Sequence, residues 1–530
     1  MSLLSILLDP VLGPLIAFGV IAVVHAVPFF VDRFGYRKNG IPGPWLAKFS
    51  DFWLARQAAG GKRSEAVHEE HKKYGSFVRI APNHISISDP DALQVIYAHG
   101  NGTLKTEFYD AFVSIRRGLF NTRDRAEHTR KRKVISHIFS PKNVQDFEPN
   151  IRSAMAKLFV QLDKITNAPE GTKSYLGTNY FRKKNNRAFL DILPWFNYVA
   201  FDVIGDLVFG EPFGMIDAAR DMAAVAKGGE KDASQSGAEV TYIPAIRILN
   251  ERGDFSATLG TIPPWARPYV KKLPWFQKGD KACQNLAGLA IAAVNRRLNN
   301  PTDRIDLLAR LQQGKDDSGQ PLGKEELTAE ALTQLIAGSD TTSNSSCAII
   351  YYLARSPRAL SKLQQELDEA LGESSEIPWF EQLKKLPYLE ACINEGLRLH
   401  STSSLGLPRS VPAGGLTVCG KFFPEGAILS VPSYTLHRRE DVWGADADDY
   451  RPERWLEIDQ NILQKAFNPF SFGPRACVGR NLASMELLVI IASFIRKYDV
   501  ILEYPKDQLE TREGFLRKPM GCAVGLKQRQ

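Results

Sequence analysis

The stretch PFSFGPRACVGR, residues 469–480, sets a single thiol, Cys477, on a turn that few architectures can house. Gly473, Pro474 and Gly479 crowd the turn, Arg475 stands two residues before the cysteine, and an apolar run that reads as a helix follows. Proline fixes its own backbone and glycine opens conformations closed to other residues, so the loop is both stiff and shaped. A buried structural thiol would not need those glycines. A nucleophile would need a nearby base, and none is adjacent in sequence, though the fold could bring one. A metal ligand is the third use. The start of a helix and the charge of Arg475 should both lower the thiol pKa. Gly473 and Gly479 would let a large planar cofactor approach, with Arg475 meeting a carboxylate on it.

The other cysteines, at 283, 347, 392, 419 and 522, form no CxxC pair. A zinc site and a disulfide scaffold are therefore both disfavoured, and a reducing compartment fits. Across 530 residues, 44% apolar and 24% charged composition is that of a globular chain, with no shift that marks a second domain boundary. The net charge of +8 fits a solvated basic face, or attraction to an acidic partner or anionic membrane.

Val11–Val31 is a 21-residue apolar run, close to the length that spans a bilayer. A cleaved signal would carry its positive residues in front. Here Arg33, Arg37 and Lys38 come after the run, which predicts an uncleaved anchor that holds the downstream chain in the cytosol. Pro14, His25 and Pro28 would also suit a kinked or interfacial segment. The division expected is residues 1–40 as anchor and basic flank, IPGPW at 41–45 as a proline hinge, and 46–530 as one catalytic domain.

Within that body, 64–74 reads as helix and 77–89 as a hairpin turning at Pro82-Asn83. Helices are expected over 144–163, 195–209 and 281–298, with more hairpin-like pieces at 415–432. The polar, glycine-rich stretch 222–240 reads as a surface connection. The fold class expected is mainly α with a minor β-sheet region.

Residues 327–354 are apolar at both ends but read GSDTTSNSS from Gly338 to Ser346. A bend with hydroxyls bonded back to the preceding turn accounts for this structurally. A functional reading adds that Gly338 admits a flat ligand, Thr341 opens a groove for a small molecule near Ala337, and Asp340 relays protons. Glu395 and Arg398 are spaced to meet on one helix face, and Arg454 in YRPERW could share the same carboxylate as a structural lock; an ordinary surface ion pair is the alternative.

Taken in order, FSFGPRACVG, AGSDTT (337–342), EGLR (395–398) and PERW (452–455) resemble the cysteine loop, oxygen-activating helix and Glu-Arg-Arg lock of the cytochrome P-450 monooxygenases. The resemblance covers the chain from the anchor to its end. It implies the P-450 fold as a single large domain behind an anchor, with haem b (iron protoporphyrin IX) bound by Cys477 and flanked by Phe470 and Gly479. It also implies protons managed by Thr341 and Asp340. Arg132, Arg409, Arg475 and His128, where the family often has Trp, would hold the haem propionates, with His437 a weaker candidate for that role or a packing residue. With no phosphate loop and no convincing GxGxxG, NADPH and flavins would act through a separate, membrane-bound NADPH–cytochrome P-450 reductase. Cytochrome b5 is a second possible donor. Arg130, Lys131, Lys133 and Arg480 are candidates to meet the reductase, or are simple surface charge. Lipid and O2 complete the expected partners, with no nucleic acid among them, and the endoplasmic reticulum is the expected membrane.

Longer stretches, AKFSDFWLARQA (47–58), RRGLFNTRDRAEHTRKRK (116–133) and IPPWARPYVKKLPWF (262–276), resemble the fungal benzoate 4-monooxygenase branch of that family. This implies para-hydroxylation of benzoate to 4-hydroxybenzoate, with other small aromatic or xenobiotic substrates as the alternative. A small aromatic acid needs an apolar slot and a donor for its carboxylate. Lys105, Thr106, Arg116 and Arg117, or Ser401, Thr402, Ser403 and Ser404, could supply the donor, and Phe108, Tyr109, Phe112 and Phe120 the aromatic wall. A non-oxidative haem-thiolate isomerase or dehydratase, or a haem sensor, would have no need of the Asp340–Thr341 pair.

Overall fold

The computed structural model describes residues 9–226, 240–300, 304, 306–316, 318–373 and 376–529. Helix α1, Leu12–Val31, leaves most of its apolar surface uncovered: Leu15, Phe18, Val20, Val23, Val27 and Phe30 all face outward, and Phe29 near its end packs on Phe49 of the body at 4.4 Å between ring centroids. Twenty residues at about 1.5 Å each reach roughly the thickness of a bilayer core. The helix runs through Pro14 and Pro28 without a break; Pro14 sits in the first turn, where its missing N–H has no partner to lose.

The expected hinge is docked. Arg79 N–H donates to Pro42 O at 2.7 Å, and a Cβ on Gly43 would lie 2.2 Å from Arg79 O, so glycine lets this strand of chain lie flat on the sheet. Tyr36 and Ile41 are buried in the same cluster as Ile85 and Phe423. The body therefore begins before residue 40, just after the helix.

Strands β1 (Phe77–Ala81) and β2 (His84–Ile87) form the hairpin expected around Pro82-Asn83, and β3 (Leu104–Lys105), β4 (Arg409–Ser410) and β5 (Ile428–Ser430) complete a sheet ordered β1-β2-β5-β4-β3. The β2–β5 pair is parallel, so the 415–432 region is not one hairpin: Leu416–Val418 pairs with Lys421–Phe423, and β5 crosses to the sheet. A second five-stranded sheet joins Lys173–Leu176, Asn179–Lys184 and Arg187–Asp191 to Tyr498–Leu502 and Ala523–Gln528. Of 222–240, residues 227–239 lie outside the described residues; the flanks Ala223–Ala226 and Val240–Ile243 pair as antiparallel strands.

Seven helices position the site: α2 (Arg125–Ile138), α3 (Leu193–Phe209), α4 (Ala245–Thr261), α5 (Pro274–Asn299), α6 (Lys324–Arg355), α7 (Pro387–Leu399) and α8 (Arg480–Lys497). α6 threads the core between α3 and α8. Gly338 is where it meets α3, since a Cβ there would lie 2.7 Å from Ile204 Cδ1. α4 and α5 pack as closely, with Gly279 admitting Phe255. Near the end of the chain, β6 (Thr511–Glu513) and β7 (Arg517–Pro519) form a hairpin whose tip carries Phe515.

Candidate active site

A cavity of about 290 Å³ lies between the cysteine loop and α6, covered by α4 and by the Phe515 tip. Cys477 opens onto it from one side, and Ala337, Asp340 and Thr341 line it from the helix. The loop owes its shape to two contacts. Gly473 has φ +69°, and a Cβ there would lie 1.8 Å from Tyr97 O; Cys477 N–H donates to Phe470 O at 2.8 Å. Gly473 therefore serves the docking of backbone on backbone, not approach to a cofactor. Gly479 precedes α8 and leaves its side of the sulfur clear, the sulfur lying 4.0 Å from where its Cβ would be.

The thiol departs from expectation. It faces the cavity deep inside the protein, and burial pushes its pKa up against the Gly479 N–H, Arg132 and Arg480. Arg475 is not among the groups that act on it. That guanidinium turns to the chain before α2, donating to Thr122 O at 2.7 Å and Arg123 O at 3.1 Å.

Arg475 instead joins a cluster of cations. Lys105 is buried, its ammonium held well below the ordinary range by burial and by Arg409, Arg475 and Arg132. Arg409 donates to Tyr109 Oη at 2.8 Å, Arg132 to Ala476 O at 2.5 Å, and Lys105 to Phe120 O. His128 is driven far down by burial and the same four charges. Among the described residues, no carboxylate hydrogen-bonds to any of the four. The sequence reading set Lys105 apart as a substrate donor; the structure places it among Arg132, Arg409 and Arg475.

α6 is helical throughout, so the polar patch does not break it. Its hydroxyls bond backward or across: Ser339 to Leu335 O at 2.7 Å, Thr341 to Ala337 O at 2.6 Å, and Thr342 to Glu486 Oε2 at 2.7 Å. Gly338 points at α3 and not at the cavity, which removes it as a cofactor contact. Burial pushes the Asp340 carboxyl up to about 6; Lys518 opposes that and Asp254 adds to it. Lys518 Nζ lies 3.6 Å from Asp254 Oδ1, and all three residues line the cavity.

Of the expected aromatic wall, Tyr109, Phe112 and Phe120 reach the cavity, while Phe108 packs behind them on Gly260 of α4. Phe515, not expected from sequence, closes the group with ring centroids 5.1 Å from Phe112 and 5.0 Å from Phe120. Arg116 lines the cavity but its side chain is 45% exposed, 3.8 Å from Glu326. Arg117 is held by Asp110 at 2.8 Å, and Thr106 caps the Glu107–Phe112 turn. Ser401 and Ser404 turn inward, bonding to Ser403 O and Ser401 O, and do not line the cavity. Ser403 and Thr402 do, with Thr402 bonded to Ser345 of α6 at 3.0 Å.

Behind the site, Glu395 accepts from Arg398 at 2.8 and 2.9 Å, Arg454 at 2.9 Å, Trp455 at 3.0 Å and the Arg451 N–H at 3.0 Å. Burial alone would raise its carboxyl pKa, but Arg398 and Arg454 outweigh it and the net shift is down. His437 spans Arg398 O and the Asn468 N–H and stays in the core. Of the basic residues expected to face a partner, Arg130 is bound to Glu127 and Glu326, and Lys131 is buried against Glu326 and Glu330. Lys133 and Arg480 remain exposed.

The cytochrome P450 family model matches residues 41–525. A benzoate 4-monooxygenase of Aspergillus niger is 48% identical over 538 aligned residues, covering 100% of this chain and 99% of the relative. A cytochrome P450 monooxygenase of Emericella nidulans is 30% identical, covering 96% of each chain. A tryprostatin B 6-hydroxylase of Neosartorya fischeri is 30% identical, covering 91% of this chain and 81% of its own. A match that takes in the cysteine loop, the cavity-lining helix and the buried Glu395 cluster alike, from Ile41 almost to the last residue, makes this chain a member of the cytochrome P450 family.

Proposed function

We propose that this protein inserts one atom of O2 at the para position of benzoate, giving 4-hydroxybenzoate and water with two electrons from NADPH. Full-length identity of 48% to a benzoate 4-monooxygenase carries the reading. The cavity supports it, because Phe112, Phe120 and Phe515 pack edge to face into one aromatic wall on which a flat ring can lie.

The residues present fit a haem. Four clustered cations without a bonded carboxylate suit its two propionates, and Cys477 opens to the cavity opposite Thr341. Arg132, Arg409, Arg475 and Lys105 would hold the carboxylates, and Cys477 the iron. Bound there, haem supplies reductive activation of O2, and a thiolate ligand favours O–O cleavage. The chain's own part is proton control and exclusion of water. Asp340, poised at about 6, exchanges a proton with the partly exposed Lys518–Asp254 pair and hands it to Thr341 Oγ1. Thr341 gives up its bond to Ala337 O to turn into the cavity. The aromatic wall keeps bulk water from the reacting carbon. Glu395, Arg398 and Arg454 brace the region behind the cysteine loop.

A reductase delivers the electrons, with exposed Lys133 and Arg480 as contacts and cytochrome b5 as a second donor. Helix α1 anchors the chain to lipid of the endoplasmic reticulum, with Arg33, Arg37 and Lys38 on the cytosolic side. We set the anchor at residues 1–32 and the catalytic domain after it.

The test is reconstitution of the full chain with reductase, NADPH and benzoate. One 4-hydroxybenzoate per NADPH is expected. Hydroxylation at the ortho or meta position, or no product while other aromatic substrates turn over, would overturn the assignment.

A further inference from the structure

Six cations line the cavity, and five have an evident use. Lys105, Arg409 and Arg475 belong to the cluster described above. Arg116 is half exposed beside Glu326, and Lys518 faces Asp254. The sixth is Arg252 on α4, a position the sequence reading passed over. It is only 6% exposed. Its Nη2 donates to Phe112 O at 2.9 Å, its Nε is buried without an acceptor, and among the described residues it forms no ion pair. Burial pushes the guanidinium below its ordinary range, with the Cys283 thiol opposing.

A second donor on the same cavity lacks a partner. Ser114, two residues beyond Phe112, also lines the cavity, and its Oγ is buried without a partner. Buried donors left unmade are costly, and most so on a charged group. A guanidinium and a hydroxyl with unmade hydrogen bonds among the residues that line one cavity offer a seat for a small anion.

We infer that Arg252 and Ser114 hold the carboxylate of the substrate acid and so decide which ring carbon is presented for oxidation. This rests on the aromatic-acid reading above. In a benzoate the carboxylate and the para carbon lie at opposite ends of a rigid ring. α4 packs on the Glu107–Phe112 turn and on α5, whereas the sulfur sits on the loop that leads into α8, so the seat and the sulfur belong to different elements around the cavity. Pinning the carboxylate at α4, with the ring laid on the Phe112, Phe120 and Phe515 wall, would point the far carbon toward Thr341 and Cys477. Arg252 acts here as a specificity-determining residue and takes no part in proton transfer.

The experiment titrates holoenzyme with benzoate and with benzamide, its uncharged analogue, following the ligand-induced absorption change. Arg252→Gln is expected to weaken benzoate binding by about 30-fold or more. Benzamide should stay within about threefold, and Arg252→Lys should restore part of the loss. The residual benzoate turnover should lose para selectivity. Benzoate affinity within threefold of wild type, with only the para product, would overturn the inference. Should Arg252→Gln fail to load haem, Ser114→Ala, which breaks no hydrogen bond in the structure, carries the test. A benzoate-only loss of about tenfold is expected there, and unchanged binding overturns the shared seat. If wild-type enzyme neither binds nor hydroxylates benzoate, the functional reading falls and takes this inference with it. Para-hydroxylation by wild type and variant alike removes the inference alone.

Discussion

Two buried carboxyls near the cavity do different work. Asp340 is raised to about 6, so it is ionised at neutral pH but easily protonated. The carboxyl that passes a proton to Thr341 acts in its protonated form, so turnover limited by that step should decline as pH rises through about 6. Asp340→Asn should lower kcat by about 100-fold and flatten that limb, read from the pH profile of 4-hydroxybenzoate formation. Glu486 is raised from 4.5 to about 7 by burial, against the hydrogen bond from Thr342. The folded chain binds this proton more tightly than the unfolded chain, so its contribution is best below about pH 4.5 and is lost as pH rises through about 7. Glu486→Gln should therefore stabilise the protein at pH 8 by roughly 2–3 kcal/mol, seen as a higher Tm there and little change at pH 4.5. At this scale the sequence disclosed what sat in an anomalous setting: a lone thiol among glycines, an acid and a threonine inside an apolar helix. Arg252 escaped because NERGDF on an amphipathic helix looks like any solvated turn, and only burial distinguishes it.

Elements obey the same distinction. Gly338 and Gly473 read as room for a ligand, yet each clears protein: Ile204 in one case, the Tyr97 carbonyl in the other. Adding a methyl at Gly473 combines a disfavoured φ of +69° with a contact of 1.8 Å that backbone cannot relieve. Gly473→Ala should displace the cysteine loop, with most of the purified protein lacking the absorption of a thiolate-bound haem while far-ultraviolet dichroism stays near wild type. Long helices such as 195–209 and 327–354 were legible within a few residues from apolar periodicity. The second sheet was not, although its turn was in plain sight. Asn185 and Asn186 take φ of 54° and 58°, the pair of positive values a two-residue hairpin needs, and asparagine tolerates them well. Two of its strands, Tyr498–Leu502 and Ala523–Gln528, come from the far end of the chain, and pairing at such separation leaves no local trace.

For the molecule as a whole, the order of four short motifs told more than composition did, since two of them line opposite sides of one cavity and the other two meet in the buried Glu395 cluster behind it. The boundary with the membrane was less legible. Proline and glycine at 41–45 suggested a hinge, whereas burial of Tyr36 and docking of Gly43 fasten that segment to the sheet. Removing residues 1–32 should shift the protein from the membrane pellet to the supernatant and leave its haem absorption unchanged; truncation at residue 45 should cost solubility as well, because Tyr36 and Ile41 leave the core.

The gathering of Lys105, Arg132, Arg409 and Arg475 bears on how the enzyme comes into being. Like charges pressed together strain a newly made chain until a doubly negative guest settles among them. Capture of the prosthetic group should then add to stability, so that apo-protein is expected to melt at a lower temperature than holoenzyme when both are followed by circular dichroism.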